Sequence, residues 1–230
     1  MYAPLRAHAV RPSVFLFDLD DTLHDASHAI FGVLNRRMTD YVQRHLAVDE
    51  AEADRLRQHY WHRYGATLLG LIRHHAVDPH HFLRETHDFD IAALVRAERS
   101  LTQLLRRLPG RKVLLTNAPA DYAATVLREI ALHRQVRRRY SIESMQVHGT
   151  FRPKPSRALL RHLLARERCA RGQAVLVEDS RANLKAAHAL GLRTVLLVRG
   201  RARRAGRPPY VGARIGSLHQ LPRALARLRR

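Results

Sequence analysis

The sequence predicts an α/β fold, a doubly wound parallel sheet interrupted by an inserted helical domain, and three observations lead there. Four short runs are continuously apolar: Ser13 to Phe17, Lys112 to Thr116 (KVLLT), Ala174 to Val177 (AVLV) and Thr194 to Val198 (TVLLV). Such runs belong to strands covered on both faces, as in a parallel sheet. Helix-like segments at about 119–131, 156–168 and 181–190 alternate with the last three runs, which is the strand-helix-strand rhythm of a doubly wound fold. Finally, the whole of residues 18 to 111 lies between the first run and the second, far more chain than a crossover needs.

Taken in order, the first strand runs directly into FDLDDTLH, residues 17–24, which places three carboxylates in four positions. The long interval that follows shows helical patterns near 26–46, 50–63, 66–76, 79–86 and 91–107 and no convincing strand. It reads as a helical domain inserted after the first strand, with boundaries at 24–107, leaving 1–23 and 108–230 as the main domain. Gly191 stops the 181–190 helix. From Gly200 to Gly212 runs a basic, proline-containing loop, and the arginines from Arg199 to Arg207 are expected to be solvated. ARIGSL is expected to form a short edge strand and LPRALARLRR a terminal helix.

Composition narrows the function classes. With 230 residues and 46% hydrophobic content, the chain can bury a sizeable core. The formal net charge of +21 would suit an anionic partner such as nucleic acid. However, all the basic residues except Lys112, Lys154 and Lys185 are arginines spread along the chain, which points to compositional bias more than to a binding patch. The single Cys169 excludes an intrachain disulfide framework and fits a reducing compartment. No stretch approaches the ~18 apolar residues of a membrane span, and MYAPLRAHAV lacks a signal-peptide core. The expectation is a cytoplasmic protein with no membrane partner.

The chemistry is expected where each strand ends, because ligands of open α/β sheets bind beyond the carboxyl ends of the strands. The first strand delivers Asp18 and Asp20, the second Thr116 and Asn117, and AVLV delivers Glu178 and Asp179. Lys154 lies in RPKP, ahead of the 156–168 helix. Carboxylates gathered from two strands repel one another unless a cation neutralises them, and oxygen-only ligands suit Mg²⁺. A lysine with hydroxyl and amide donors beside that ion makes a site for a phosphate dianion. One carboxylate could then attack phosphorus while a second, two residues away, protonates the leaving oxygen and activates water.

The order of these motifs resembles the haloacid dehalogenase-like hydrolase superfamily over roughly residues 13–198: FDLDDTLH, LLTNA, the lysine of RPKP, and VEDSRANLKAA. The resemblance implies a Rossmann-like core with an α-helical cap, and assigns roles residue by residue. Asp18 would be nucleophile and metal ligand, and Asp20 general acid/base with its carbonyl on the metal. Thr116, with the Asn117 backbone N–H, would hold the phosphoryl group, and Lys154 would offset its charge. Asp179 would bind Mg²⁺ directly, with Glu178 acting through a water. Asn183 stands where some relatives carry a further acid, and the presence of Asp20 argues for phosphoryl transfer rather than dehalogenation.

Residues 59–82, HYWHRYGATLLGLIRHHAVDPHHF, are similar to the cap of the pyrimidine 5′-nucleotidase branch, through Tyr60, Tyr64, Gly65, Gly70, Leu71 and His75, with His87 and Asp88 further on. That implies a small phosphorylated substrate, with pyrimidine nucleoside 5′-monophosphates favoured and Tyr60, Tyr64 and His75 as candidate contacts. Another phosphatase substrate or a phosphosugar mutase is the alternative within the enzyme class. Outside that class, the alternative is a non-catalytic nucleic-acid-binding protein. The paired histidines His74-His75 and His80-His81 are expected to be structural or on the surface, because adjacent side chains on a helix point about 100° apart.

Overall fold

A computed structural model describes residues 12–199 and 208–228. Its main sheet has six parallel strands in the order β3-β2-β1-β6-β7-β8. These are Val14–Phe17 (β1), Arg111–Leu115 (β2), Arg138–Tyr140 (β3), Ala174–Glu178 (β6), Arg193–Leu197 (β7) and Ala213–Ile215 (β8). The remaining two strands, Gln146–Val147 (β4) and Thr150–Phe151 (β5), form a hairpin. Its two turn residues, His148 and Gly149, both have positive φ, the backbone a two-residue hairpin turn requires.

The pleat sorts the apolar runs onto two faces. Phe15, Phe17, Leu114, Val175, Val177, Val195 and Leu197 share one buried cluster, while Val14, Leu16, Val113, Leu115, Leu176 and Leu196 lie in another. That alternation is the two-residue period of a strand. The first face is covered by helices Leu101–Arg107 (α5), Ala120–Glu129 (α6) and Leu221–Arg227 (α9), and the second by Arg157–Arg166 (α7) and Arg181–His188 (α8). The sheet is therefore doubly wound, as the continuous apolar runs predict. Each fully buried Phe or Leu contributes on the order of 1.5–3 kcal/mol through removal from water.

Between β1 and α5 lie four helices, Ile30–Leu46 (α1), Glu50–Tyr64 (α2), Thr67–His75 (α3) and Pro79–His87 (α4). They enclose their own apolar cluster, including Tyr41, Val42, Tyr60, Leu68, Leu71 and Phe82. Asp49 and Asp78 cap α2 and α4 by accepting N–H bonds in the first turn, and Pro79 opens α4, as helix starts favour. The cluster also takes in Ile142, and Phe151 packs against it, so the helices rest on the segment between β3 and β5.

Two sequence expectations need correction. The helix expected over 91–107 is broken: only a single 3-10 turn at Ala92–Leu94 precedes α5, and Ser100 adopts a left-handed φ of 59°. Tertiary bonds override the local pattern, since Asp25 N–H donates to Arg96 O at 2.6 Å and the Glu98 carboxylate accepts from Leu218 N, Ser217 Oγ and Arg199. Arg199 itself is not a solvated loop residue. Its guanidinium pairs with Glu98 at 3.3 Å and donates to the carbonyls of Asp21 and Thr22, clamping the turn after β1. Residues 200–207 of the expected basic loop lie outside the described residues. The edge strand and terminal helix expected after it are β8 and α9. Among the described residues no helix is long and apolar enough to cross a membrane.

Candidate active site

β1 has β2 on one side and β6 on the other, so the sheet is wound outward from it in both directions. That switch point opens a crevice at the carboxyl ends of these strands, and of the polar residues predicted from sequence Asp18, Lys154, Glu178 and Asp179 meet there. The Lys154 ammonium, 5% exposed, donates to Asp18 Oδ1 at 2.6 Å and to Glu178 Oε2 at 3.0 Å. One carboxylate oxygen each from Asp18, Glu178 and Asp179 lies within 4.8 Å of the others.

The loop that carries Lys154 is fixed by Asn117. Its amide donates to Lys154 O at 3.1 Å and its Oδ1 accepts from Lys154 N at 3.0 Å, so the end of β2 sets the height of the lysine. Thr116, almost fully buried, accepts from Ala118 N at 3.0 Å through Oγ1, which leaves its hydroxyl hydrogen available to a ligand oxygen. Glu178 is fully engaged. Besides Lys154, it accepts from Asn183 Nδ2 at 2.9 Å and from the backbone N–H groups of Asp179 and Ser180 at 3.2 and 3.0 Å. Asn183, which departs from the acid found in some relatives, thus orients Glu178.

The electrostatics follow from burial and crowding. Burial alone would raise Glu178, but Lys154 and its other donors hold it down at about 2. Asp18 is raised by burial and the neighbouring Glu178 charge, and Asp179 is raised to about 8 for the same two reasons. Three carboxylates against one lysine leave the cluster short of positive charge, and its donors are all oxygens. This is the chemistry that suits a hard divalent cation such as Mg²⁺.

Asp20 stands apart from that cluster. Its Oδ1 accepts from Tyr122 Oη at 2.6 Å and from His24 Nε2 at 2.8 Å. His24 is completely buried, and the His87 ring at the end of α4 meets Tyr122 edge to face at 5.5 Å. Sequence reasoning missed Tyr122 and His24 as site residues. A polar ring two positions into α6 (ADY) and a histidine closing FDLDDTLH were the available signals, but neither residue type by itself marks a site.

Tyr60, Tyr64 and His75 come together with one another rather than with the carboxylates. Tyr60 Oη and His75 Nε2 hydrogen-bond at 2.7 Å, and Tyr64 Oη and His74 Nε2 at 2.6 Å. Tyr60 is buried in the helical cluster while Trp61 is 57% exposed. The link to the site runs through Gly65, which ends α2 at a φ of 82°. A Cβ there would stand 3.1 Å from Pro155 Cδ and 3.4 Å from Lys154 O, so the chain beside Tyr64 abuts the lysine loop.

Known proteins resemble this chain in sequence and in fold. The family profile of the haloacid dehalogenase-like hydrolases matches residues 12–191. Phosphate metabolism protein 8 of Saccharomyces cerevisiae is 32% identical over 65 residues, 28% of this chain and 20% of that protein, so the match spans about a fifth of the yeast protein's length. Among solved structures, CbbY from Rhodobacter sphaeroides in complex with phosphate aligns with a TM-score of 0.65 at 19% identity, over 94% of this chain and 99% of that chain. YfnB from Bacillus subtilis bound to magnesium aligns at 0.60 and 15% identity, over 94% and 99%. A HAD phosphatase from Thermococcus onnurineus aligns at 0.62 and 19% identity, over 93% and 97%.

Proposed function

Because the chain belongs to the haloacid dehalogenase-like hydrolases, we propose that it is a Mg²⁺-dependent phosphatase of small phosphomonoesters, with pyrimidine nucleoside 5′-monophosphates favoured. One observation carries the reading: Lys154 bridges Asp18 and Glu178 beside Asp179, at the sheet's switch point. Asp18, Asp179 and the Asp20 carbonyl would hold Mg²⁺, which when bound supplies the positive charge that the carboxylates and a phosphate dianion together lack.

The chain's own residues account for the rest. Lys154 and the Thr116 hydroxyl bind the phosphoryl oxygens, with the Asn117 N–H. Asp18 attacks phosphorus in line, and the ester P–O bond breaks as Asp20 gives its proton to the leaving oxygen, producing an aspartyl-phosphate and the free alcohol. Asp20, now a carboxylate, takes a proton from water. The resulting hydroxide attacks phosphorus, breaks the Asp18–phosphate bond and releases inorganic phosphate. The α1–α4 helices act as the cap that excludes bulk water during these steps. The nucleotide preference is supported by the Tyr60, Tyr64, Gly65 and Gly70 pattern of α2 and α3.

The test is phosphate release from a panel of nucleotides, phosphosugars and phosphoglycolate, with and without Mg²⁺. Mg²⁺-dependent release is expected, greatest with pyrimidine 5′-monophosphates, and lost by at least about 10³-fold in Asp18→Asn, in line with removal of a covalent nucleophile. A folded protein that releases no phosphate from any ester, yet binds DNA with a steep salt dependence, would overturn the reading in favour of a nucleic-acid-binding role. Isomerised phosphosugar without free phosphate would replace hydrolysis by mutase chemistry.

A further inference from the structure

A second cluster of metal-ligating side chains lies on the helical cap, separate from the carboxylates of the sheet. His45 from α1 and His81 and Glu85 from α4 each offer one ligand atom within 4.8 Å of the others. His81 and Glu85 are one helical turn apart and share a face, and their Nε2 and Oε1 atoms are 2.8 Å apart. The packing of α1 against α4 supplies the third group.

Tyr41 prepares both imidazoles for this role. His45 Nδ1 lies 3.0 Å from the Tyr41 carbonyl oxygen. A carbonyl can only accept, so Nδ1 carries the proton and Nε2 presents its lone pair. The His45 ring is also stacked on the Tyr41 ring, with centroids 3.7 Å apart and planes 9° apart. His81 Nδ1 meets the Tyr41 hydroxyl at 3.1 Å, which leaves its Nε2 facing Glu85. Tyr41 is itself 1% exposed, so both imidazoles bond to a buried residue. Glu85 is held from behind: its Oε2 accepts from Arg44 at 2.8 Å, and its carbonyl accepts from Arg37 at 3.1 Å. An engaged Nδ1 on each histidine and a second bond on the carboxylate are the outer-sphere supports that fix ligands in metal sites.

We propose that His45 Nε2, His81 Nε2 and Glu85 Oε1 bind a divalent transition metal of the zinc class, with solvent completing the coordination. Two imidazoles and one carboxylate suit Zn²⁺ and exclude Mg²⁺ as the preferred ion. The bound ion would pin α1 to α4, the first and last helices of the cap, across the buried Tyr41–Phe82 contact. The sequence hides this site, because adjacent histidines draw the eye while the working pair comes from two separate helices.

The test uses the full chain carrying Asp179→Asn, so that the carboxylate cluster of the sheet contributes no transition-metal site. The protein is stripped with EDTA and titrated with Zn²⁺ in excess Mg²⁺ by calorimetry, then with Co²⁺ by visible absorption. One equivalent of zinc, a cobalt band, and at least about tenfold weaker binding on adding either His45→Phe or His81→Gln are expected. His80→Gln, one residue away, should leave binding unchanged. His45→Phe preserves the ring stacking, which separates loss of a ligand from loss of the fold. Zinc uptake that is absent, or that survives either substitution, overturns the proposal and leaves His81–Glu85 as a plain ion pair. Mg²⁺-dependent phosphatase activity is scored separately in the Asp179 wild type, so failure of one reading is distinguishable from failure of the other.

Discussion

Asp18 and Asp20 are two residues apart yet meet opposite surroundings. Asp18 faces a buried ammonium, whereas Asp20 is held by a tyrosine from α6 and a buried histidine from its own turn. A carboxylate that must give a proton to one oxygen and take one from another works only while its orientation is fixed. Tyr122→Phe and His24→Asn should therefore lower kcat on alkyl phosphates by about 10- to 100-fold with KM little changed. The loss should be much smaller on p-nitrophenyl phosphate, whose leaving group needs no proton. Equal losses on both esters would mean that the two residues merely support the fold. Beside them, burial drives His87 down to about 4 from an ordinary 6.5. Between those values the unfolded chain binds the extra proton, so the neutral ring's contribution is complete above pH 6.5 and is lost as pH falls towards 4. Urea unfolding at pH 7 and pH 4.5 should show the wild type losing on the order of 2 kcal/mol more than His87→Phe.

At the scale of elements, the cap is built on contacts so close that one residue type fits. Gly70, mid-way along α3, would place a Cβ 2.0 Å from Tyr60 Cγ on α2. A glycine within a helix costs about 1 kcal/mol of propensity, and here it is what lets α2 and α3 pack with the Tyr60 ring between them. Gly70→Ala should destabilise the protein by about 1–3 kcal/mol through overpacking, despite the better helix propensity of alanine. Thermal unfolding decides this, since a stabilised variant would show that Tyr60 moves aside without cost. The helices between β1 and α5 were legible from their helix-like patterns. The interruption before α5 was not, because Glu98 and Arg96 read as ordinary helix formers and only their bonds to Ser217, Leu218 and Asp25 pull the chain out of register.

Over the whole molecule, the sheet collects charge that it cannot itself neutralise. Asp18 and Asp179 are both pushed up by burial and by neighbouring carboxylates, so an ion bound only by the folded state stabilises it by mass action. Mg²⁺ at a hundred times its Kd should add about 2.7 kcal/mol to unfolding, EDTA should remove it, and Asp179→Asn should abolish the effect. An unfolding midpoint indifferent to Mg²⁺ in the wild type would argue against the cation site.

The sequence by itself determined the parallel sheet, the inserted helices and the order of Asp18, Thr116, Lys154 and Asp179, because strand burial and strand-end chemistry are properties of short contiguous runs. β3 escaped that reading, since only Tyr140 of its three residues is buried and two exposed arginines mask the strand. Tertiary structure alone decided that Tyr122 and His24 hold Asp20, that Asn183 and Lys154 share Glu178, and that His45 meets His81 and Glu85. Tyr122 and Asp20, and His45 and His81, lie far apart in sequence, so nothing local signals the partner. A hydrogen bond needs its two atoms within about 3 Å, and only the packed chain brings them there.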